Sequence, residues 1–230
     1  MVDVLDILID KQDNSERVRD QIAVILATES ANQQALAAGA GKDPEGWKFS
    51  VYIERARPWE ALFSSVDDEG RIKDETPLVN VWYDNGTFPQ AKGDTVERQT
   101  ESASYNIDIY AAAVSVDSVT PGYESGDELA TLEAQRITRL VRNILMSNIN
   151  TYLQLRGIVG RRWPSSITSF QPQQNENNAQ YVTAVRLVLS VDFLEFSPQL
   201  TPEDLEEIFI EVKKAQDGSV LAAVQFDLTT

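Results

Sequence analysis

Apolar and polar residues alternate along several segments of the chain, as in β-strands that have one covered face. In "SYNIDIYAAAVSV", Tyr105, Ile107 and Ile109 fall on one side, and Asn106 and Asp108 fall on the other. Beyond Tyr110 both sides are apolar or small, which indicates a strand covered on both faces at that end. The same alternation predicts further strands in "WKFSVYIERARPW", "PLVNVWY", "AQYVTAVRLVLSVDFLEF" and "SVLAAVQFDL".

Asn85-Gly86 follows "PLVNVWY" and is a strong signal for a tight turn, so we expect that strand to end there. The segment "RGIVGRRWPSSITSFQPQQNENN" is mixed, because Gly157, Gly160 and Pro164 interrupt its strand-like pieces.

Three segments have the 3.6-residue period of helices. The first runs from Asp13 to Leu36, with Asp13 and Glu16 as a capping pair and Gly39 and Gly41 closing it. The second is "ELATLEAQRITRLVRNIL", with a predicted core face of Leu132, Ile137, Leu140, Val141, Ile144 and Leu145. The third is "TPEDLEEIFIEVKKA", in which Thr201 is the expected N-cap, acids occupy the first turn and lysines the last.

This order of elements predicts an α+β fold with a mostly antiparallel sheet packed by helices. We divide the chain into an α+β domain at 1–197 and a C-terminal extension of one helix and one strand at 198–230.

The stretch "AAGAGKDPEG" at 37–46 superficially resembles a phosphate-binding loop. That loop needs a Gly four residues before the Gly-Lys pair, where this chain has Leu36, and a Ser or Thr after the Lys. Here Asp43 follows Lys42 and would repel a phosphate. We therefore interpret the glycines as a helix end and expect no nucleotide cofactor.

The chain of 230 residues contains no Cys and no His, which excludes thiol nucleophiles, imidazole bases and the usual zinc sites. Asp67, Asp68 and Glu69 are consecutive, so their side chains diverge, and dipole compensation accounts for Glu203 and Asp204. We predict no catalytic residue, no metal and no cofactor. A metal-dependent hydrolase using Asp67, Asp68 or Glu203 is the enzymatic alternative.

The formal charge of −16 argues against a surface that grips nucleic acid through its phosphates. The acidic N-terminal segment lacks the basic region of a signal peptide, and no apolar run reaches the length of a membrane span. We expect a soluble protein made in the cytoplasm, with no membrane partner.

The arginines of the second helix and of the mixed segment are the clearest candidates for a binding surface, beside a Trp that suits an interface. We favour local pairing on a solvated helix face, such as Glu133 with Arg136, for the arginines, and a structural corner at Trp163-Pro164 is the alternative for the Trp. Together with the acids of the third predicted helix, the candidate subunit interface is Arg136, Arg139, Arg142, Arg161, Arg162, Trp163, Glu203, Asp204, Glu206 and Glu207.

The order of elements resembles the tail terminator (tail completion) proteins of long-tailed bacteriophages over roughly residues 14–197. The resemblance is carried by an N-terminal helix followed by "PLVNVWY", "ASYNIDIYAAAV", "ELATLEAQRITRLVRNIL" and "AQYVTAVRLVLSVDFLEF". The longer loop at 55–77 and the additions after Pro198 depart from that pattern.

The resemblance implies a structural virion protein of the tail–neck region. Such a protein forms a ring, commonly a hexamer, that caps the tail tube, stops its elongation and joins the tail to the neck. Its expected partners are other copies of itself, the tail tube protein and neck or connector proteins, with the sheath as a further candidate. DNA passes through the lumen without sequence-specific binding. No catalytic residues come with the family.

Ring closure is a head-to-tail contact and needs complementary patches on opposite sides of one subunit. The arginine helix and the acidic C-terminal segment are candidates, and "SVLAAVQFDL" is a candidate for adding a strand to a neighbour's sheet. Two other interpretations remain: a different neck, connector or sheath-capping ring protein, or a stand-alone binding module that stays monomeric.

Overall fold

The computed structural model describes residues 12–62, 76–89, 94–95, 98–115, 125–172, 181–196, 207–213 and 220–227. The chain divides into two compact units. One is Gln12–Ser197, and the other combines Met1–Lys11 with Pro198–Thr230.

The described part of the larger unit contains two α-helices, α1 (Asn14–Gly39) and α2 (Gly126–Met146), and one five-stranded sheet. Its strands are β1 (Ser50–Ile53), β2 (Leu78–Thr87), β3 (Arg98–Ala113), β4 (Val159–Phe170) and β5 (Tyr181–Phe196). The spatial order is β1-β2-β3-β5-β4. β1 runs parallel to β2 and the remaining pairs are antiparallel, so the sheet is mixed. The predicted α+β class is confirmed.

α1 begins and ends where its sequence predicts. The backbone N–H of Asp13 donates to a Glu16 carboxylate oxygen at 3.2 Å, as in a capping pair. The helix ends at Gly39, and Gly41 adopts a left-handed φ of 67°, which a glycine accepts without a steric penalty. The glycine-rich stretch is therefore a helix end.

Both helices cover one face of the sheet. Tyr105, Ile107 and Ile109 of β3 are fully buried there, beneath Ile22 of α1 and Ile137 of α2. Burying an aliphatic or aromatic side chain of this size contributes about 1.5–3 kcal/mol, so this face supplies most of the hydrophobic stabilisation. A smaller cluster lies on the opposite face, where Leu62 and Trp59 pack against Tyr110.

The predicted core face of α2 is wrong at one position. Leu132 is 57% exposed, whereas Ala130 and Ala134 are fully buried. Two small residues one turn apart let the helix approach the sheet closely, and Leu132, offset from both by two residues, turns towards solvent.

The turn predicted at Asn85-Gly86 is also wrong, because β2 continues through both residues to Thr87. A register shift between Tyr83 and Asn85 absorbs one extra residue, as in a β-bulge. The long partner strand β3 supplies pairing beyond the bulge, at Ser104, Ala103 and Ser102. Continued pairing therefore overrides the local turn preference.

The segment predicted to be broken by Gly160 and Pro164 is one strand, β4, at the edge of the sheet. An edge position tolerates Pro164, since one side of the strand needs no ladder donor. Register shifts between Val159 and Arg161 and between Pro164 and Ser166 accommodate the interruptions.

The described part of the smaller unit is a hairpin of β6 (Glu207–Lys213) and β7 (Val220–Asp227). The prediction of a C-terminal strand is confirmed. The predicted third helix is wrong over 207–213, and its N-cap Thr201 lies outside the described residues. Ile208, Ile210 and Val212 alternate along β6, and antiparallel pairing with β7 outweighs capping and dipole signals worth only about 0.3–1 kcal/mol each.

Candidate subunit interface

The three arginines of α2 have different environments. Arg136 is half-buried, and its Nε donates to a Glu133 carboxylate oxygen at 2.7 Å. The same guanidinium donates to the carbonyl of Gly46, and the bond to Glu133 raises the pKa of Arg136. Arg136 thus ties α2 to the segment before β1. Arg139 and Arg142 are exposed and form the outward part of the predicted arginine surface.

Arg161 lies on β4 and interacts with two other side chains. It forms an ion pair with Asp192 of β5, and its guanidinium lies 5.1 Å from the centre of the Trp163 ring. Asp192 also accepts a hydrogen bond from Ser102 Oγ at 2.7 Å. Arg161 and Trp163 therefore form a small exposed platform whose charge is locally balanced.

Arg162 is directed instead to the C-terminal end of α2. One of its terminal nitrogens donates to the Ser147 carbonyl at 2.7 Å, satisfying an acceptor that the helix itself leaves open. Burial lowers the pKa of Arg162, and its Nε has no hydrogen-bond partner among the described residues. This side chain has a structural role at a helix end.

The acidic side of the predicted interface falls largely beyond the described residues. Glu203, Asp204 and Glu206 lie there, and Glu207 is the first residue of β6. Glu207 therefore lies on a strand and not on the predicted helix. Of the predicted set, Arg139, Arg142, Arg161 and Trp163 are on the surface of the larger unit.

A buried ion pair on the sheet face opposite the helices was missed by the sequence. Asp108, only 3% exposed, accepts two hydrogen bonds from Arg186, at 2.7 and 2.8 Å. Trp82 Nε1 donates to the same carboxylate at 3.0 Å, and the bond to Asp108 raises the pKa of Arg186. The Arg186 guanidinium also lies over the rings of Trp82 and Phe170. The sequence signal for this ion pair is Arg186, a single charged residue within the apolar run "AVRLVL".

This ion pair forms part of the wall of an open cavity of about 610 Å³. The cavity is lined by residues of both charge signs, Glu54 and Asp108 against Arg55 and Arg186, together with aromatic rings. Since those charges balance, the lining favours no ligand of one particular charge.

A second buried carboxylate lies near the start of α1. Glu101 is 3% exposed and accepts a hydrogen bond from the Tyr83 hydroxyl at 3.0 Å. Burial raises the pKa of Glu101, and burial together with the Glu101 partner raises the pKa of Tyr83 to about 12. Glu195, whose pKa is also raised by burial, accepts the backbone N–H of Asn14 at 2.9 Å. The bond between Asn14 and Glu195 holds the N-terminus of α1 against the sheet.

Because Gly86 has no side chain, the Tyr83 hydroxyl and the Glu101 carboxylate can occupy the space beside it. A Cβ at this position would overlap the Glu101 carboxylate and the Tyr83 hydroxyl. We expect Gly86→Ala to lower the free energy of unfolding by about 1–3 kcal/mol, the usual cost of forcing extra atoms into packed structure. Urea denaturation measures this. Gly46→Ala is the matched control, because a Cβ there meets nothing within 4 Å. Equal effects of the two substitutions would contradict the packing argument.

A groove of about 570 Å³ separates the outer surfaces of α1 and the C-terminal end of α2. Val24 and Ile149 flank it and are 54% and 81% exposed. Exposed apolar side chains such as these are typical of surfaces that contact another protein.

Within the described ranges, no three acidic side chains converge as metal ligands would. Asp67, Asp68 and Glu203 of the hydrolase alternative lie outside those ranges. The helices that the structure describes include none with the length and apolar character to cross a membrane.

No protein-family model matches the chain, and no curated protein is significantly similar to it in sequence.

Proposed function

We propose that this protein is a structural virion component of a long-tailed bacteriophage, a ring-forming tail terminator. In this role it caps the tail tube, stops its elongation and joins the tail to the neck, and DNA passes through the ring. The protein acts by assembly and does not catalyse a reaction.

The order of elements in the larger unit carries the proposal. A long helix, three strands, a second helix and two further strands follow one another from α1 to β5. The resemblance to tail terminators rests on α1, β2, β3, α2 and β5 within this order. Fold alone supports a role only by analogy, so the surfaces of the subunit must supply the rest.

A closed ring needs two different surfaces on each subunit, one that meets the preceding copy and one that meets the next. The described residues offer two candidate surfaces, and both carry arginines that would meet acidic surface on a neighbouring copy. One is the outer face of α2 with Arg139 and Arg142, together with the groove between α1 and α2. The other is the edge strand β4 with Arg161 and Trp163. The net charge of −16 provides ample acidic surface for the arginines to meet.

The same negative charge is compatible with a duplex that passes through the ring. Tight binding to DNA depends on clustered Lys and Arg that neutralise phosphates, and an acidic lumen lacks that attraction. A ring of this kind encloses the duplex and lets it slide.

The proposal is tested by measuring the mass of the purified protein by light scattering across concentration, and by imaging it in negative stain alone and with tail tubes. We expect rings with a central hole, free or on tube ends. A protein that stays monomeric and leaves tube ends bare would overturn the proposal.

Charge reversal on α2 tests the arginine surface. We expect Arg139→Glu/Arg142→Glu to lower the ring association constant at least about tenfold per contact, equivalent to 1.4 kcal/mol, because like charges then face each other. Arg57→Glu is the control, since Arg57 is also exposed and directly precedes a 3-10 turn that packs on the opposite face of the sheet. Sedimentation velocity gives the ring fraction. If both variants assemble like the parent chain, α2 does not form the interface.

A further inference from the structure

β4 has an open edge. Its inner edge pairs with β5, and no strand among the described residues pairs with its outer edge. The second half of the strand, Ser166–Phe170, pairs with β5 in unbroken register, so its backbone groups are regularly spaced. These residues carry no charge, and Ile167 is 49% exposed.

Edge strands normally carry protection against pairing with other chains, in the form of charges, proline or bulges. The first half of β4 has that protection, from Arg161, Arg162, Pro164 and two register shifts. The second half has none. An uncharged, regular edge rich in Ile, Thr and Phe is a template for strand addition.

The β6–β7 hairpin is a matching donor. A two-stranded hairpin by itself is at best marginally stable in water and needs a third strand or a packing surface. β6 carries the charged residues Glu207, Glu211 and Lys213, whereas Val220–Phe226 of β7 is uncharged, like the second half of β4. The uncharged strand is the one that can join an uncharged edge without burying an unpaired charge.

We propose that β7 of one copy pairs with the Ser166–Phe170 edge of β4 in a second copy of this chain. The donor and acceptor surfaces differ, so each copy donates once and accepts once, which is the head-to-tail arrangement that closes a ring. This inference rests on the proposed self-assembly and specifies its backbone contact. Main-chain hydrogen bonds supply the affinity, and the pair of strands described for the hairpin gains a third.

The chain contains no cysteine, so introduced thiols report this contact without background. One size-tagged chain carries Ser169→Cys, and an untagged chain carries Val224→Cys. The two are mixed as unfolded chains, refolded together and mildly oxidised. We expect a mixed-size disulfide to form at least about tenfold faster than in the control, since strand pairing raises the local thiol concentration to the millimolar range.

The control replaces Ser169→Cys by Thr151→Cys, an equally exposed position outside β4. Equal rates with both partners would overturn the inference. A chain carrying Ser169→Cys and Val224→Cys together provides a second check. A disulfide within that single chain, in place of one between chains, would also overturn it.

A charge on the open edge separates this inference from the proposed function. We expect Thr168→Lys to reduce ring assembly about tenfold or more, while Thr151→Lys leaves it unchanged. Rings that form normally with Thr168→Lys would refute the strand addition and leave the terminator proposal standing. Cross-linking between β7 and β4 in assemblies that never cap tail tubes would support the strand addition and refute the terminator role.

Discussion

Replacing Arg186 with methionine is expected to lower the free energy of unfolding by about 3 kcal/mol. The change removes both guanidinium hydrogen bonds to Asp108 and leaves a carboxylate that is 3% exposed without its counter-charge. Breaking a buried ion pair in this way costs about 3–5 kcal/mol. The lower end applies because the Arg186 side chain is itself 35% exposed, so water replaces part of the lost interaction. Equilibrium urea denaturation measures the effect.

A matched ion pair in the same sheet provides the control for Arg186→Met. Arg161 pairs with Asp192, but the Arg161 side chain is 73% exposed, and we expect Arg161→Met to cost less than about 1 kcal/mol. A double variant, Arg186→Met/Asp108→Asn, tests the cause. It removes the stranded charge but keeps an acceptor for Trp82, so it should recover much of the loss. Equal costs for the two arginine substitutions would show that burial does not govern the Arg186 pair.

The ends of α1 and the central strands of the sheet could be predicted because several local signals agreed there. Asp13 and Glu16 cap the helix and Gly41 follows its end, all within a few residues. In β3 and β5, strict alternation placed Ile107 and Leu187 on the covered face, where they are buried. Segments in which local preference and tertiary packing agree can be predicted from the sequence.

The errors fall where pairing with a distant strand outweighs a local signal. Asn85-Gly86 forms no turn, because β3 extends far enough to continue the ladder past the bulge. β4 carries glycine and proline, which only an edge strand accommodates, and an edge position is a property of the whole sheet. The acids and lysines of 201–215 predicted a helix, yet β6 pairs with β7 over 207–213. The local sequence of each segment does not show which distant strand it pairs with.

The candidate interface was predictable in composition but not in arrangement. The three-residue spacing of Arg136, Arg139 and Arg142 placed them on one side of a helix, yet only the last two are exposed. Neighbouring residues on a strand face opposite sides, so Arg161 meets Asp192 while Arg162 reaches the end of α2. The buried pair of Asp108 and Arg186 joins residues on two strands, and no spacing along the chain reveals such a contact.

Raising the pH from 10 towards 12 is expected to destabilise the protein steeply. Burial raises the pKa of Tyr83 to about 12 and raises the pKa values of Tyr105 and Tyr110 as well. The unfolded chain loses these phenolic protons near pH 10, whereas the folded chain keeps them to higher pH. The folded state therefore binds more protons in this window, and stability that is fully present below pH 10 is lost as the pH rises. Each tyrosine whose pKa is higher in the folded than in the unfolded state lowers the free energy of unfolding by about 1.4 kcal/mol per pH unit in this window.

Tyr105→Phe isolates one of these groups. Tyr105 is fully buried and its hydroxyl donates to the Ser15 carbonyl at 3.0 Å, so its loss should cost about 1 kcal/mol at neutral pH. The same substitution removes one titrating proton, so stability should fall less steeply between pH 10 and pH 12 than in the parent chain. Urea denaturation at several pH values, with tyrosinate absorbance followed in parallel, measures both effects. Tyr152→Phe is the control for the loss of a hydroxyl at neutral pH, because Tyr152 is 41% exposed and we expect little cost there. A Tyr105→Phe variant with the parent slope would mean that this hydroxyl ionises alike in the folded and unfolded chains.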